Sequence, residues 1–330
     1  MSPMDRRTFL LGVPALGVAA GTTRAAAQSG VRTLTLGLTS RSATDWGLYA
    51  ADKIGFFTAN GLQVDQIVIG SSAGCAQQLT AGSIDIGSVS STQVIEAVIG
   101  GAPIVEVINE VITAPYFILA RKGVTSIGQL KGKTIIIGGP NDITRVFADK
   151  VLAANGFKPE EITYTYAGAT SERYAALLSG GVDGAILLPP FAFRAADQGY
   201  AVVAEIQKYF PNFPFGGLAA RIAWAKSHRD MVVAFDKSYL QGVRWLFDPA
   251  NRARAIQLLI DETNTTPDDA SKTYDLYVAR LRLYSRDGRF TDADFTQVLD
   301  ALLKTKDITP PAPPPSRFYD NSYVDAARVR

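Results

Sequence analysis

Hydroxyl and amide side chains gather in four short stretches, each of them where an apolar run gives way to a helical pattern. They are Thr39, Ser40 and Trp46 in "TSRSATDW", Ser71 and Ser72 in "GSSAG", Ser88, Ser90, Ser91 and Thr92 in "SVSST", and Asn141 and Thr144 in "GGPNDIT". A helix start offers unpaired N–H groups and the positive end of the helix dipole, so such a set suits a carboxylate or sulfonate. Any single Ser or Thr there serves equally well as an ordinary N-cap; the recurrence at several loops is what singles out the group. Trp46, Tyr116, Phe191 and Phe193, with Pro190 before the last two, supply flat apolar surface near strand ends, in competition with plain core packing. Together they suit a small ligand with a polar or anionic end and an apolar or aromatic body.

Other chemistry is ruled out by count. His228 is the single histidine and Cys75 the single cysteine, so no His/Cys metal cluster can be assembled and no catalytic triad is available. Cys75 is expected to be buried. Arg145 and Arg173 could grip an anion, but both fall inside helical patterns and read as solvated. No nucleotide fingerprint is present: the GGPND turn lacks both the GxGxxG and the GxxxxGK[ST] spacing. No cofactor or metal is expected.

The elements that position these loops are written twice. Residues 68–88, "VIGSSAGCAQQLTAGSIDIGS", align with 166–186, "YAGATSERYAALLSGGVDGAI", at a constant offset, pairing Gly70 with Gly168, Gly82 with Gly180 and Asp85 with Asp183. Each copy reads as strand, small-residue loop, helix opening on Ser71–Ser72 or Thr170–Ser171, glycine stop and buried strand. Asp85 and Asp183 sit at strand starts, away from the loops, as caps or turn ligands. "RTLTLGLTS" (32–40) alternates as a first strand, "DWGLYAADKIGFFTANG" reads as one amphipathic helix, and "KGKTIIIGGPNDITRVFADKVLAANG" as strand, turn and helix. The fold class is therefore α/β. Two lobes are expected, the first from 31–115 with 219–330 and the second from 116–218, joined by "ITAPYFILAR" and "PNFPFGGLAAR" as crossings. Helices follow the second crossing, and "TPPAPPPS" reads as an extended spacer.

Residues 1–27 have the charged start, apolar run and small-residue end of an export signal, with cleavage after Ala27. Arg6–Arg7 resembles the twin-arginine motif, and the absence of cysteine there argues against a lipoprotein. The chain has 33 basic and 31 acidic residues. Without Arg6, Arg7, Arg24 and Asp5 it is neutral, which points away from nucleic acid and from a polybasic membrane surface.

The segments "GFFTANGLQVDQI", "QQLTAGSIDIGSVSST", "GGAPIVEVI", "LKGKTIIIGG" and "ERYAALLSGGVDGAILLPPF" resemble the substrate-binding proteins of ABC importers, in the SsuA/THI5-like (NMT1-like) group that includes sulfonate, taurine and thiamine-precursor binders. The resemblance implies a two-lobed periplasmic-binding-protein fold of type II, a monomer, with a ligand cleft between the lobes. It implies a periplasmic protein that is not an enzyme, with a small-molecule ligand and a membrane permease as partners. A receptor feeding a sensor, or an enzyme of the thiamine-pyrimidine-precursor synthase type, are the alternative readings.

Overall fold

A computed structural model describes residues 30–210 and 213–327; the expected export signal lies outside them. The chain enters as β1 (Arg32–Leu38), whose inward side chains Leu34, Leu36 and Leu38 are buried. The helical stretch that follows is not continuous. It forms α1 (Trp46–Lys53) and α2 (Phe56–Ala59), separated at Gly55, whose φ of 90° is left-handed and ends the first helix. β2 (Leu62–Val68), α3 (Ser72–Ala81), β3 (Ile86–Ser90), α4 (Ser91–Ile99) and β4 (Ile104–Val111) complete the first run.

The chain then builds a second unit of the same kind. It comprises β5 (Phe117–Ala120), β6 (Lys133–Ile137), α5 (Ile143–Ala154), β7 (Ile162–Tyr166), α6 (Thr170–Leu178), β8 (Gly184–Leu187), α7 (Phe191–Asp197) and β9 (Ala201–Glu205). It returns through β10 (Gly216–Arg221), which joins the first sheet. Helices follow: α8 (Ile222–Ser227), α9 (Arg229–Phe247), α10 (Arg252–Thr263), α11 (Pro267–Tyr274), α12 (Asp292–Thr305) and α13 (Ser322–Ala326). The proline-rich segment leads back to the first sheet, where Tyr319 forms a bridge with Glu106.

Two five-stranded mixed sheets result, β2-β1-β3-β10-β4 and β7-β6-β8-β5-β9. They have the same order: three parallel strands, one antiparallel strand, and an edge strand antiparallel to that. The antiparallel member is in each case the strand that crosses between sheets. The repeat is visible at the bond level. Asp85 accepts from the Thr35 amide at 2.9 Å and Asp183 from the Thr134 amide at 3.0 Å, each tying the start of its strand to the neighbour. Gly82 and Gly180 have φ of 80° and 75°, the left-handed stops that both copies require. The equivalence is not complete, because Ser71 caps α3 by accepting from the Gly74 amide at 3.0 Å whereas Ala169 occupies the N-cap of α6. Among the described residues no helix is long and apolar enough to cross a membrane.

Candidate functional site

The loops beyond the carboxyl ends of the parallel strands of both sheets enclose a cavity of about 320 Å³. This is where open α/β sheets leave room for a ligand, since each strand there gives way to a loop and a helix start. From the first sheet come the loop after β1, the start of α3, the end of β3 and the end of β4. From the second come the turn after β6, the loop before α6 and the end of β8.

Eight of the fifteen residues singled out in the sequence lie in its wall: Thr39, Ser40, Ser71, Ser72, Ser88, Ser90, Tyr116 and Asn141. The hydroxyls hold one another. Ser72 Oγ accepts from the Ser90 amide at 2.9 Å and lies 3.1 Å from Ser90 Oγ, which reaches Thr92 Oγ1 at 3.2 Å. Thr39 Oγ1 donates to the Ser88 carbonyl at 3.4 Å. By contrast, the side chains of Ser40 and Asn141 enter no hydrogen bond among the described residues. Tyr116 packs against Phe147 and Phe215, and Phe215 also lines the cavity.

The other seven lie outside the wall, among them Thr92, which is fully buried in the first turn of α4. Trp46 is fully buried on α1, its indole N–H donating to the Ala255 carbonyl at 3.1 Å and its ring edge meeting Tyr274; it belongs to the core, because the one-turn segment after β1 carries it behind the loop. Ser91 is fully buried at the start of α4. Thr144 closes the turn after β6, accepting from the Gly138 amide at 2.7 Å and donating to Asp142 at 2.5 Å. Pro190 is buried, Phe191 packs on Tyr174, and Phe193 packs on Phe117, so α7 turns its aromatic residues toward its neighbours.

The wall holds ionisable groups that the loop-by-loop reading missed. Arg173 is 1 % exposed, not solvated as its helical position suggested. Its Nε donates to the Ile186 carbonyl, Nη1 to the Ala167 and Gly168 carbonyls, and Nη2 to Thr170 Oγ1, at 2.8–2.9 Å. Four of its five N–H groups are thereby occupied. Around it stand four carboxyls: Asp45, Glu96, Glu110 and Asp142. Asp142 is taken up as the N-cap of α5, accepting from the Thr144 amide. Burial pushes the Asp45 carboxyl up to about 7, against the hydroxyls of Ser42 and Thr44, which favour its charged form. Burial, with the charges of Asp307 and Asp142, also brings Glu96 to about 7. Glu110 is held well above the usual carboxylate range by burial and then by the charge of Asp45. Its Oε1 has no hydrogen-bond partner among the described residues, and Oε2 has only a long contact to Ser88 Oγ at 3.5 Å.

A sequence signal for Glu110 existed. In "IVEVINEV" every residue is buried, and Glu106, Asn109 and Glu110 interrupt an otherwise apolar strand. Ionisable groups in such a strand need a reason. Cys75 is buried, as expected, with its thiol pushed up to about 12 by burial. His228 stacks on Trp224 at the junction of α8 and α9, away from the cavity. Arg145 is half-buried and paired with Asp149.

The NMT1/THI5-like family model matches residues 44–253. No curated protein matches the chain. Among solved structures, the ligand-binding component of an ABC-type import system from Staphylococcus aureus, with zinc bound, is 15 % identical with a TM-score of 0.76, covering 90 % of this chain and 99 % of that one. The alkanesulfonate-binding protein SsuA from Xanthomonas axonopodis pv. citri, bound to MOPS, is 19 % identical with a TM-score of 0.70, covering 84 % and 92 %. The periplasmic nitrate-binding protein NrtA from Synechocystis PCC 6803 is 13 % identical with a TM-score of 0.78, covering 90 % and 88 %. At these identities the likeness is one of fold: two mixed sheets flanked by helices, the type II periplasmic-binding-protein architecture.

Proposed function

The chain belongs to the NMT1/THI5-like family, and from that premise we propose that it is the extracytoplasmic solute-binding component of an ABC importer. It captures a small organic ligand between its two sheet-bearing lobes, 31–115 with 219–330 and 116–218, and presents it to a membrane permease. The observation that carries this reading is the 320 Å³ cavity, walled by corresponding loops of two sheets with the same strand order. A ligand there touches both halves at once and so favours the arrangement in which they face each other closely. The volume lies in the range of small-molecule sites, and Tyr116, Phe215 and Leu188 give it an apolar floor among polar anchors. Binding without turnover fits the wall: Cys75 is buried with a raised pKa and does not line the cavity, and His228 lies elsewhere. The import component of the Staphylococcus aureus system and the nitrate and alkanesulfonate binders share the fold, which supports the same role here.

The test is a melting series on the purified protein against amines, amino acids, sulfonates, carboxylates and heterocycles, with Ser40→Trp as the control that fills the cavity from its rim. A ligand at about a hundred times its Kd adds roughly 2.7 kcal/mol of stability. The expected result is a stabilising ligand whose effect Ser40→Trp abolishes. A ligand that stabilises both proteins equally binds elsewhere and defeats the reading.

A further inference from the structure

The sequence pointed to a ligand with a polar or anionic end, because helix starts lie at the loops; the completed wall argues against the anion. Its single basic side chain, Arg173, spends four of its five N–H groups on Ile186, Ala167, Gly168 and Thr170. No lysine or histidine lines the cavity among the described residues. Against this stand four carboxyls, Asp45, Glu96, Glu110 and Asp142, and Glu110 lies within reach of the charge of Asp45.

Glu110 is the observation that separates a site from a mere acidic cluster. It is 3 % exposed, it lines the cavity, and its Oε1 meets no hydrogen-bond donor among the described residues. A buried carboxyl oxygen without a donor costs free energy comparable to a lost hydrogen bond, more if it is charged. Its neighbours do not relieve it: Ser88 offers one long contact, and Asp45 already accepts from Ser42 and at longer range from Thr44. An N–H donor entering the cavity would satisfy Oε1, and a positive charge there would favour the charged forms of Glu110 and Asp45, which burial disfavours. An anion would do the opposite. It would lie in a wall with four carboxyls, with only helix starts and the last Arg173 N–H to hold it.

Resting on the reading of the cavity as the ligand site, we propose that the ligand is a small organic cation. Its basic nitrogen, an ammonium or amidinium, is held by Glu110 and Asp45, and its hydrogen-bond acceptors face the starts of α3 and α4. Ser72 and Ser90 are tied into one network at those starts, which leaves the acceptor end a fixed frame.

Four probes that share one ring test this by calorimetry on the purified full chain: benzylamine and 4-(aminomethyl)benzoate against benzoate and benzenesulfonate. The expected result is binding of one or both amines, at least tenfold tighter than either amine-free anion. Glu110→Gln, which keeps the shape and removes the charge, should weaken the amine at least tenfold while its melting profile shows a folded protein. Preference for benzenesulfonate or benzoate, binding of none of the four, or amine binding unchanged in Glu110→Gln overturns the inference. Ser40→Trp separates the two levels. Amine binding that persists in Ser40→Trp removes the cavity as the site, whereas binding lost in Ser40→Trp but retained in Glu110→Gln removes only the role of the carboxyl.

Discussion

Trp46 shows how far a residue's meaning depends on where its side chain goes. By type and position it suited an aromatic wall, and substitution would then weaken binding and leave stability intact. In the fold it is fully buried, bonded to the Ala255 carbonyl and set edge-on to Tyr274. Trp46→Ala is therefore expected to cost about 3–5 kcal/mol of stability, the usual range for emptying a large aromatic site in a core. Urea unfolding measures it; a loss under about 1 kcal/mol combined with weakened ligand binding would place the indole in the site after all. Arg173 makes the reverse point. A helical arginine on a polar pattern reads as solvated, yet its guanidinium is enclosed and organises the loop before α6 through two carbonyls of that loop. Such a role is invisible in spacing, because the acceptors are backbone atoms that any sequence supplies.

At the scale of elements, the two copies of strand–loop–helix–strand were legible because each must repeat the same stops and ties. Asp85 and Asp183 do the same work in different sheets, each accepting from the amide of the adjacent first-type strand. Hydrogen bonds to a charged group contribute roughly 1.5–3 kcal/mol. Asp85→Ala and Asp183→Ala should each cost about that much. The Arg121 partner of Asp183 adds little, since that arginine is half exposed. With the two sites in separate sheets, the losses should add in the double variant within about 0.5 kcal/mol. Chemical denaturation of the three variants checks this, and a strongly non-additive result would show the two sheets to be energetically coupled through these ties. The break between α1 and α2 was not legible as such. Apolar periodicity runs through Gly55, and only its left-handed backbone divides the helix.

Across the whole molecule the two copies meet. Gly70 and Gly168, paired by the repeat, also touch in space: a Cβ built on Gly168 would lie 2.9 Å from the Gly70 carbonyl oxygen and 3.3 Å from Ser71 Cβ. The equivalent loops of the two sheets thus close one side of the cavity by backbone contact. Gly168→Val should hold the halves apart. The expected outcome is a ligand affinity lower by about tenfold or more, a larger radius of gyration in solution scattering with ligand present, and little change in melting temperature without it. Unchanged affinity and scattering would mean that this contact is not part of the bound arrangement.

What the sequence determined by itself was whatever local rules specify: α/β alternation, the doubled unit, the left-handed stops at Gly82 and Gly180, and the loops that carry the hydroxyls. These depend on periodicity and backbone sterics, which act over a few residues. The tertiary structure alone decided which side chains share the cavity and with what charge. Trp46 and Glu110 lie 64 positions apart, and nothing local says that the first turns into the core while the second reaches the cavity. Long-range packing makes that choice, and by burying Glu110 beside Asp45 it also determines the electrostatics that a ligand meets.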